Sequence, residues 1–224
     1  MRGALAAVGV FVLVGGIVFI GRSDNKTEGT NPTGTNIADT KPIVVLKPVK
    51  IVLECEEPTT LENKTNDGIE IISKKEQNEG APIAYLEIKS GFIDECGLGN
   101  DKTTAGKLPG RATYEFEVPR KDTYYLHLRA KWRDNCGNAV WVGMDKVDTP
   151  DDWIDLSDQL GKLSEKNFTW WWHPLMVGGK PRAFELEAGK HTLFMNVQKD
   201  GPKLDQWVIS TDPQPPVGQN PVKK

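Results

Sequence analysis

The stretch ELEAGKHTLFMNVQKDGPKLDQWVIST, residues 185–211, carries the pattern that decides the fold. Its apolar and polar residues alternate along one segment, which places on a single face Leu193, Met195 and Val197. That alternation is typical of a half-buried antiparallel strand. The pair Asp200 and Gly201 is a strong turn signal, and another apolar run follows it. The stretch therefore predicts two strands joined by a tight turn.

Acidic residues interrupt both the last and the first apolar runs of the chain. Asp205 lies inside the final run, where an unpaired buried carboxylate costs roughly several kcal/mol, so it needs a partner, and a bound cation is one candidate. Glu54 and Glu56 are two residues apart, so both carboxylates leave the same face of a strand. Crowded carboxylates favour Ca²⁺, which takes oxygen ligands. The alternative is that the glutamates are solvated and that Asp205 caps a turn.

Length and charge limit the classes of function. A chain of 224 residues can form one domain with accessory segments. Its net charge of −3 arises from mixed signs without a basic block, which excludes nucleic acid as a partner. A neutral ligand, a polypeptide partner or a metal fits this balance better.

The N-terminus holds an unbroken apolar run, residues 3–21. As a helix, about 19 residues span roughly 28 Å, close to the hydrocarbon core of a bilayer. A cleaved secretory signal is the competing interpretation, but its apolar region is shorter and ends at a small-x-small site. We interpret residues 1–22 as an uncleaved transmembrane signal anchor that delivers the following domain outside the cytoplasm, to the periplasm or the cell surface.

The rest of the chain divides by composition. Residues 23–47 form a polar, flexible linker, and residues 213–224 form a Pro-rich tail that is extended or disordered. Between them, residues 48–212 hold short β-branched and aromatic runs separated by turn residues, which indicates an all-β antiparallel sandwich or barrel. One short helical turn is possible within residues 151–163. The predicted strands are 50–56, 69–73, 84–89, 112–118, 123–131, 139–145, 168–172, 183–187, 191–198 and 204–210.

Three cysteines are present. Cys96 and Cys136 both lie in Gly/Asn/Asp-rich loops, and in an oxidising compartment their pairing would close a loop of about 40 residues and stabilise the fold by about 3–4 kcal/mol. Cys55 alternates with acids and is expected to point into the core. The alternative is three unrelated thiols.

The order of several short motifs resembles that of carbohydrate-binding modules of families six and thirty-five. The motifs are the acidic first strand at 54–56, a strand ending in ValPro at 118–119, TyrTyrLeuHisLeuArgAla at 124–130, a Gly/Asn loop, a strand ending in Asp145, the Trp run at 170–172, LeuXAlaGlyLysHisThrLeu at 186–193 and AspGlyXXLeuAsp at 200–205. The resemblance implies a galactose-binding-like jelly-roll sandwich. It also implies a structural calcium held by the matching acids Glu54, Glu56 and Asp205.

Sugar binding in this family implies aromatic faces beside hydrogen-bonding groups, because a pyranose presents an apolar C–H face and several hydroxyls. Alternation at the Trp run places Trp170 and Trp172 toward the core and leaves Trp171 exposed, while Trp141 and Trp207 are structural. Arg129 is expected to form an ion pair on a sheet face. The candidate ligand-binding residues, all in or beside loops, are Trp132, Arg133, Asn135, Asn138, Trp153, Trp171 and His173.

Catalytic motifs are missing from the sequence. The three histidines lack metal-ligand spacing, and no nucleophile elbow occurs. Acid pairs such as Asp151 and Asp152 would suit glycoside hydrolysis only at a set separation, and they are expected in a solvated loop. The sequence therefore predicts a non-catalytic, membrane-anchored, extracytoplasmic module whose partner is a glycan or cell-envelope polysaccharide. The alternative is a structural module of the cell envelope that binds a protein partner and no sugar.

Overall fold

A computed structural model describes residues 46–62, 71–78, 81–89, 101–134, 136–157 and 169–223. These residues form two antiparallel sheets and a small two-stranded ribbon, which confirms the all-β class. The described strands are β1 (Lys50–Glu54), β2 (Thr60–Glu62), β3 (Ile71–Asn78), β4 (Ala81–Ile88), β5 (Arg111–Val118), β6 (Asp122–Lys131), β7 (Ala139–Met144), β8 (Ile154–Ser157), β9 (Trp171–Pro174), β10 (Met176–Val177), β11 (Lys180–Pro181), β12 (Ala183–Leu186), β13 (Gly189–Val197) and β14 (Lys203–Ser210).

The larger sheet is built around β6 and β14, which pair with each other. On the edge of β6 that faces away from β14, β12 pairs with the first residues of β6 and β9 pairs with the later residues of β6. On the edge of β14 that faces away from β6, β4 pairs with the start of β14 and β1 pairs with the rest of β14. β3 then pairs with β4 and extends the sheet. The smaller sheet has the order β2-β5-β13-β7-β8. The opening and closing strands of the domain therefore meet, as the sequence predicts.

One hydrophobic core joins the two sheets. Leu193, Met195 and Val197 on β13 are all fully buried, as their alternation predicts. The larger sheet contributes inward-facing residues such as Leu128 and Trp207, which are also fully buried. Because strands of both sheets supply one continuous cluster, the architecture is a sandwich.

The turn at Asp200 and Gly201 does not close a hairpin. β13 pairs with β5 and β7 in the smaller sheet, whereas β14 pairs with β6, β1 and β4 in the larger one. Both edges of each strand are thus already occupied, and the turn carries the chain from one sheet to the other. Gly201 has φ +94°, which a residue with a Cβ adopts only with strain.

Other elements refine the sequence-based expectations. The possible helical turn is a 3₁₀ helix at Pro150–Asp152, and the next residues form β8. The Pro-rich tail has no strand or helix, but it lies against the larger sheet and hydrogen-bonds to it. The signal anchor at 1–22 and most of the linker lie outside the described residues. Within the described ranges, no helix is long and apolar enough to cross a bilayer.

Candidate functional site

Three of the predicted sugar-binding residues are buried. Trp132 is 1% exposed, and its indole Nε1 donates to Nδ1 of His173 at 3.3 Å. His173 is 6% exposed, and burial lowers its pKa to about 4, so it is neutral at physiological pH. Trp153 is 2% exposed. The prediction that these three side chains face a sugar is therefore corrected: they are packing residues.

Local structure explains why Trp132 and Trp153 turn inward. Trp132 follows β6 in register with the core-facing residues of that strand, so it continues the inward row. Trp153 caps the 3₁₀ helix, and the guanidinium of Arg111 stacks over its ring at 5.4 Å. The polar residues next to both tryptophans in the sequence predicted solvent-exposed loops, but the backbone at each position directs the indole ring into the protein.

The Trp run follows the predicted alternation only in part. Trp170 and Trp172 are 4% and 2% exposed, and Trp171 is half-buried. Trp172 pairs with Arg129 across β9 and β6, and Trp170 stacks against the same guanidinium at 5.1 Å. Directly paired residues of antiparallel strands share a face. Trp172 is therefore on the outer face with Arg129 and is buried there beneath the C-terminal tail, outside the core between the sheets.

Three predicted residues remain accessible and define what we call the loop-end patch: Arg133, Asn138 and Trp171. Arg133 is exposed, and the other two are half-buried. Trp171 pairs with Ala130 near the end of β6, so it lies at the same end of the sandwich as Arg133. The Arg133 guanidinium pairs with Asp134 at 3.4 Å. Asn135 lies outside the described residues.

A cavity of about 470 Å³ lies at the other end of the sandwich, between the end of β7 and β12. Sequence reasoning missed it, because its walls come from segments about 30 residues apart in the chain. We call it the β7–β12 cavity. Its lining combines apolar side chains, including Ile154 and Phe184, with six ionisable ones: Asp145, Lys146, Asp151, Asp152, Arg182 and Glu185.

Asp145 is held rigidly at the cavity by the neighbouring strand β13. Its Oδ1 accepts a hydrogen bond from the Thr192 backbone N–H at 2.8 Å, and its Oδ2 lies 2.7 Å from His191 Nδ1. Partial burial lowers the pKa of His191, but hydrogen bonds to Asp145 and to a backbone carbonyl raise it more, and the net shift is upward. Asp145 has φ +57°, a left-handed conformation that Asp tolerates better than most residues. The ion pair thus fixes the carboxylate that ends β7.

The opposite wall of the cavity is less constrained. The guanidinium of Arg182 lies 5.6 Å from the Phe184 ring, which gives this wall both a cation and an apolar face. Glu185 Oε1 accepts from the Thr123 hydroxyl at 2.7 Å. On the first wall, hydrogen bonds from Thr149 lower the pKa of Asp152. The cavity therefore offers fixed acceptors, an exposed guanidinium and an aromatic ring.

Two of the three predicted calcium ligands have other partners. Asp205 is an extra residue between Leu204 and Gln206 at a β-bulge, and its Oδ2 accepts from Arg129 Nη1 at 2.6 Å. Glu54 Oε1 accepts from the Gln206 side-chain amide at 3.1 Å. The described part of the chain contains no group of three or more His, Cys, Asp or Glu that would hold a metal.

One of the predicted calcium ligands, Asp205, is thus already paired with a guanidinium. Glu56 Oε2 is buried without a hydrogen-bond partner. Burial raises the pKa of Glu56 to about 7, and the negative charges of Glu54 and Asp205 add to the rise. Calcium itself stays a prediction. The expectation that Arg129 forms an ion pair is confirmed.

The cysteines separate into two kinds. Cys55 is fully buried and free, as its position in the first strand predicts. Cys136 takes part in a disulfide. Cys96 lies outside the described residues, so the pairing of Cys96 with Cys136 stays a prediction.

No protein-family model matches this chain, and no curated protein matches it. Among solved structures, the C-terminal CBM6 of LamC, a marine laminarinase from Zobellia galactanivorans, shares 13% identity over 73% of this chain and 99% of its own, with a TM-score of 0.43. A family 35 carbohydrate-binding module from Clostridium thermocellum shares 14% identity over 73% of this chain and 98% of its own, with a TM-score of 0.41.

A third similar structure is CBM6cm-2 from Cellvibrio mixtus lichenase 5A, solved in complex with cellotriose. It shares 12% identity over 70% of this chain and 94% of its own, with a TM-score of 0.40. These neighbours are carbohydrate-binding modules of the two families that the sequence motifs indicate. With identities and TM-scores this low, the likeness carries no argument about the site, and the proposals below rest on the chain's own side chains.

Proposed function

We propose that this protein is a non-catalytic carbohydrate-binding module and that the β7–β12 cavity is its sugar site. The observation that carries the proposal is the composition of that cavity. Its volume of about 470 Å³ falls within the range of roughly 300–1,000 Å³ that is typical of small-ligand sites. Its fixed carboxylates accept hydrogen bonds from hydroxyls, and the Phe184 ring offers an apolar surface to C–H groups.

Binding suits the cavity better than hydrolysis. A glycosidase needs one carboxylic acid whose pKa is raised so that it can protonate the leaving group. Asp152 shifts in the opposite direction, because the Thr149 N–H and hydroxyl hydrogen-bond to its ionised form. Asp145 Oδ1 accepts from the Thr192 N–H and its Oδ2 lies 2.7 Å from His191 Nδ1, so both carboxylate oxygens are held in place.

The location outside the cytoplasm and the membrane anchor belong to the same proposal. The apolar run at residues 3–21 supports an anchor. The disulfide at Cys136 supports an oxidising compartment, since structural disulfides are rare in the cytosol. The partner we propose is a glycan or polysaccharide of the cell envelope.

A glycan array with the full-length chain in detergent micelles tests the proposal. We expect binding to at least one glycan. Two variants then locate the site: Arg182→Ala in the cavity and Arg133→Ala in the loop-end patch, both at exposed arginines. Arg182→Ala is expected to weaken binding about tenfold, which corresponds to about 1.4 kcal/mol for a lost charge-assisted hydrogen bond. Arg133→Ala is expected to leave it unchanged.

The other outcomes separate the alternatives. A loss of binding in Arg133→Ala alone would move the sugar to the loop-end patch. No response to any glycan at millimolar concentration, with the fold intact by circular dichroism, would favour the cell-envelope module that binds a protein partner and no sugar.

A further inference from the structure

The outer face of the larger sheet carries a polar site that the sugar proposal does not use. Four side chains define what we call the outer-face site: His127, Arg129, Trp172 and Gln206 on strands β6, β9 and β14. All four are buried, with exposures between 0% and 4%. They are covered by the C-terminal segment, residues 212–223, which has no strand or helix of its own.

Every one of these side chains contacts the backbone of the C-terminal segment. Arg129 Nε donates to the Gln219 carbonyl at 2.7 Å, and Trp172 Nε1 donates to the Asn220 carbonyl at 3.2 Å. His127 Nε2 lies 3.3 Å from the Asp212 carbonyl oxygen. Side chains on the sheet thus contact three main-chain carbonyls of the segment, and main-chain hydrogen bonds of this kind contribute affinity in peptide recognition.

Gln206 makes the most specific contact. Its Nε2 donates to the Val222 carbonyl at 3.2 Å, and its Oε1 accepts from the Val222 N–H at 2.8 Å. One side-chain amide therefore pairs with both backbone groups of one residue, as a neighbouring strand would. Gln206 is itself positioned by its hydrogen bond to Glu54.

The composition of the segment suits this site. It contains four prolines, which have no N–H to leave unsatisfied and which favour an extended backbone. The central donor, Arg129, is fixed before any peptide arrives, because Asp205 holds its Nη1 and the Trp170 ring stacks on its guanidinium. A preorganised donor loses little conformational freedom on binding.

We propose that the outer-face site is a binding site for proline-rich peptide and that the chain's own C-terminal segment occupies it. The site recognises backbone carbonyls and one N–H, that of Val222. It is separate from the β7–β12 cavity and does not depend on sugar binding.

The chain offers a matched pair of test variants. Val222 and Val217 both follow a proline. The backbone of Val222 hydrogen-bonds to Gln206, whereas the Val217 side chain is fully exposed. Val222→Pro removes the N–H that Gln206 accepts, and Val217→Pro makes the same chemical change away from the site. Each full-length variant is mixed with a fluorescein-labelled peptide of residues 213–223 with the native sequence, and anisotropy is recorded.

We expect the labelled peptide to bind the Val222→Pro chain at least about tenfold more tightly than the Val217→Pro chain. In the Val217→Pro chain the tethered C-terminal segment still binds the site, and its high effective concentration lets it outcompete the labelled peptide. In the wild-type chain, hydrogen exchange should be slower at the Val222 amide than at the Val217 amide. Equal peptide binding by the two variants, no binding by either, or equal exchange of the two amides would overturn the proposal.

Discussion

Arg129 and Asp205 form an ion pair at 2.6 Å in which the two side chains are 0% and 4% exposed. They are 76 residues apart in sequence and meet because β6 and β14 are neighbours at a β-bulge. Asp205 is the lone acid of the final apolar run, and Arg129 is the partner that its burial demands. The same guanidinium also donates to the C-terminal segment.

Breaking this pair should destabilise the fold strongly. Arg129→Met leaves Asp205 buried without a partner and should lower the free energy of unfolding by about 3–5 kcal/mol. The double variant with Asp205→Leu should recover most of that loss. Lys121→Met is the control, since Lys121 and Glu187 form a largely exposed pair whose loss should change stability much less. Urea unfolding followed by circular dichroism measures all three, and equal losses for Arg129→Met and Lys121→Met would contradict the account.

The alternation in residues 185–211 was sufficient to predict the fold class and the buried row on β13. It could not predict which sheet each strand joins, because β13 and β14 pair with strands that are distant in the sequence. The turn at Asp200 therefore resembled a hairpin. Likewise, the sequence indicated that Asp205 needs a partner of opposite charge. It did not distinguish a bound cation from a distant arginine.

The site was harder to predict than the fold. Trp132 and Trp153 border polar loops in the sequence, yet a continuing strand register and a 3₁₀ helix turn them inward. The β7–β12 cavity joins Asp145 to Arg182, and no local pattern links those two residues. The sequence drew attention to three of its acids, Asp145, Asp151 and Asp152, but not to their position in one cavity.

Glu56 should make stability depend on pH. Its pKa is raised from 4.5 to about 7 in the folded chain, so between those pH values the folded state holds a proton that the unfolded state has released. Stability from this group therefore falls as pH rises from 4.5 to 7. Glu56→Gln should gain stability relative to wild type across that window and show a constant difference above it. Thermal melts at several pH values test this, with Glu57→Gln as the exposed neighbouring control. A difference that does not change with pH would refute the assignment.

Chelation tests the calcium prediction directly. If calcium is bound, EDTA should lower the melting temperature and added Ca²⁺ should restore it, because a ligand bound only to the folded state stabilises it by mass action. An unchanged melting temperature would contradict the calcium prediction.

Reduction should reveal the contribution of the disulfide at Cys136. If Cys96 is the partner, dithiothreitol should lower the free energy of unfolding by about 3–4 kcal/mol, as expected for a loop of about 40 residues. Cys55→Ala should show the same sensitivity, because Cys55 is a free thiol. Peptide mapping by mass spectrometry identifies the partner. Insensitivity to reduction, or a bridge to Cys55, would contradict this assignment.

The most direct test of the central claim is titration calorimetry of the full-length chain with the best glycan from the array. We predict saturable binding at one site for wild type and for Arg133→Ala, and about tenfold weaker binding for Arg182→Ala, because the cavity loses its guanidinium. No measurable binding of any glycan by the wild-type chain, or an undiminished affinity in Arg182→Ala, would contradict a sugar site between β7 and β12.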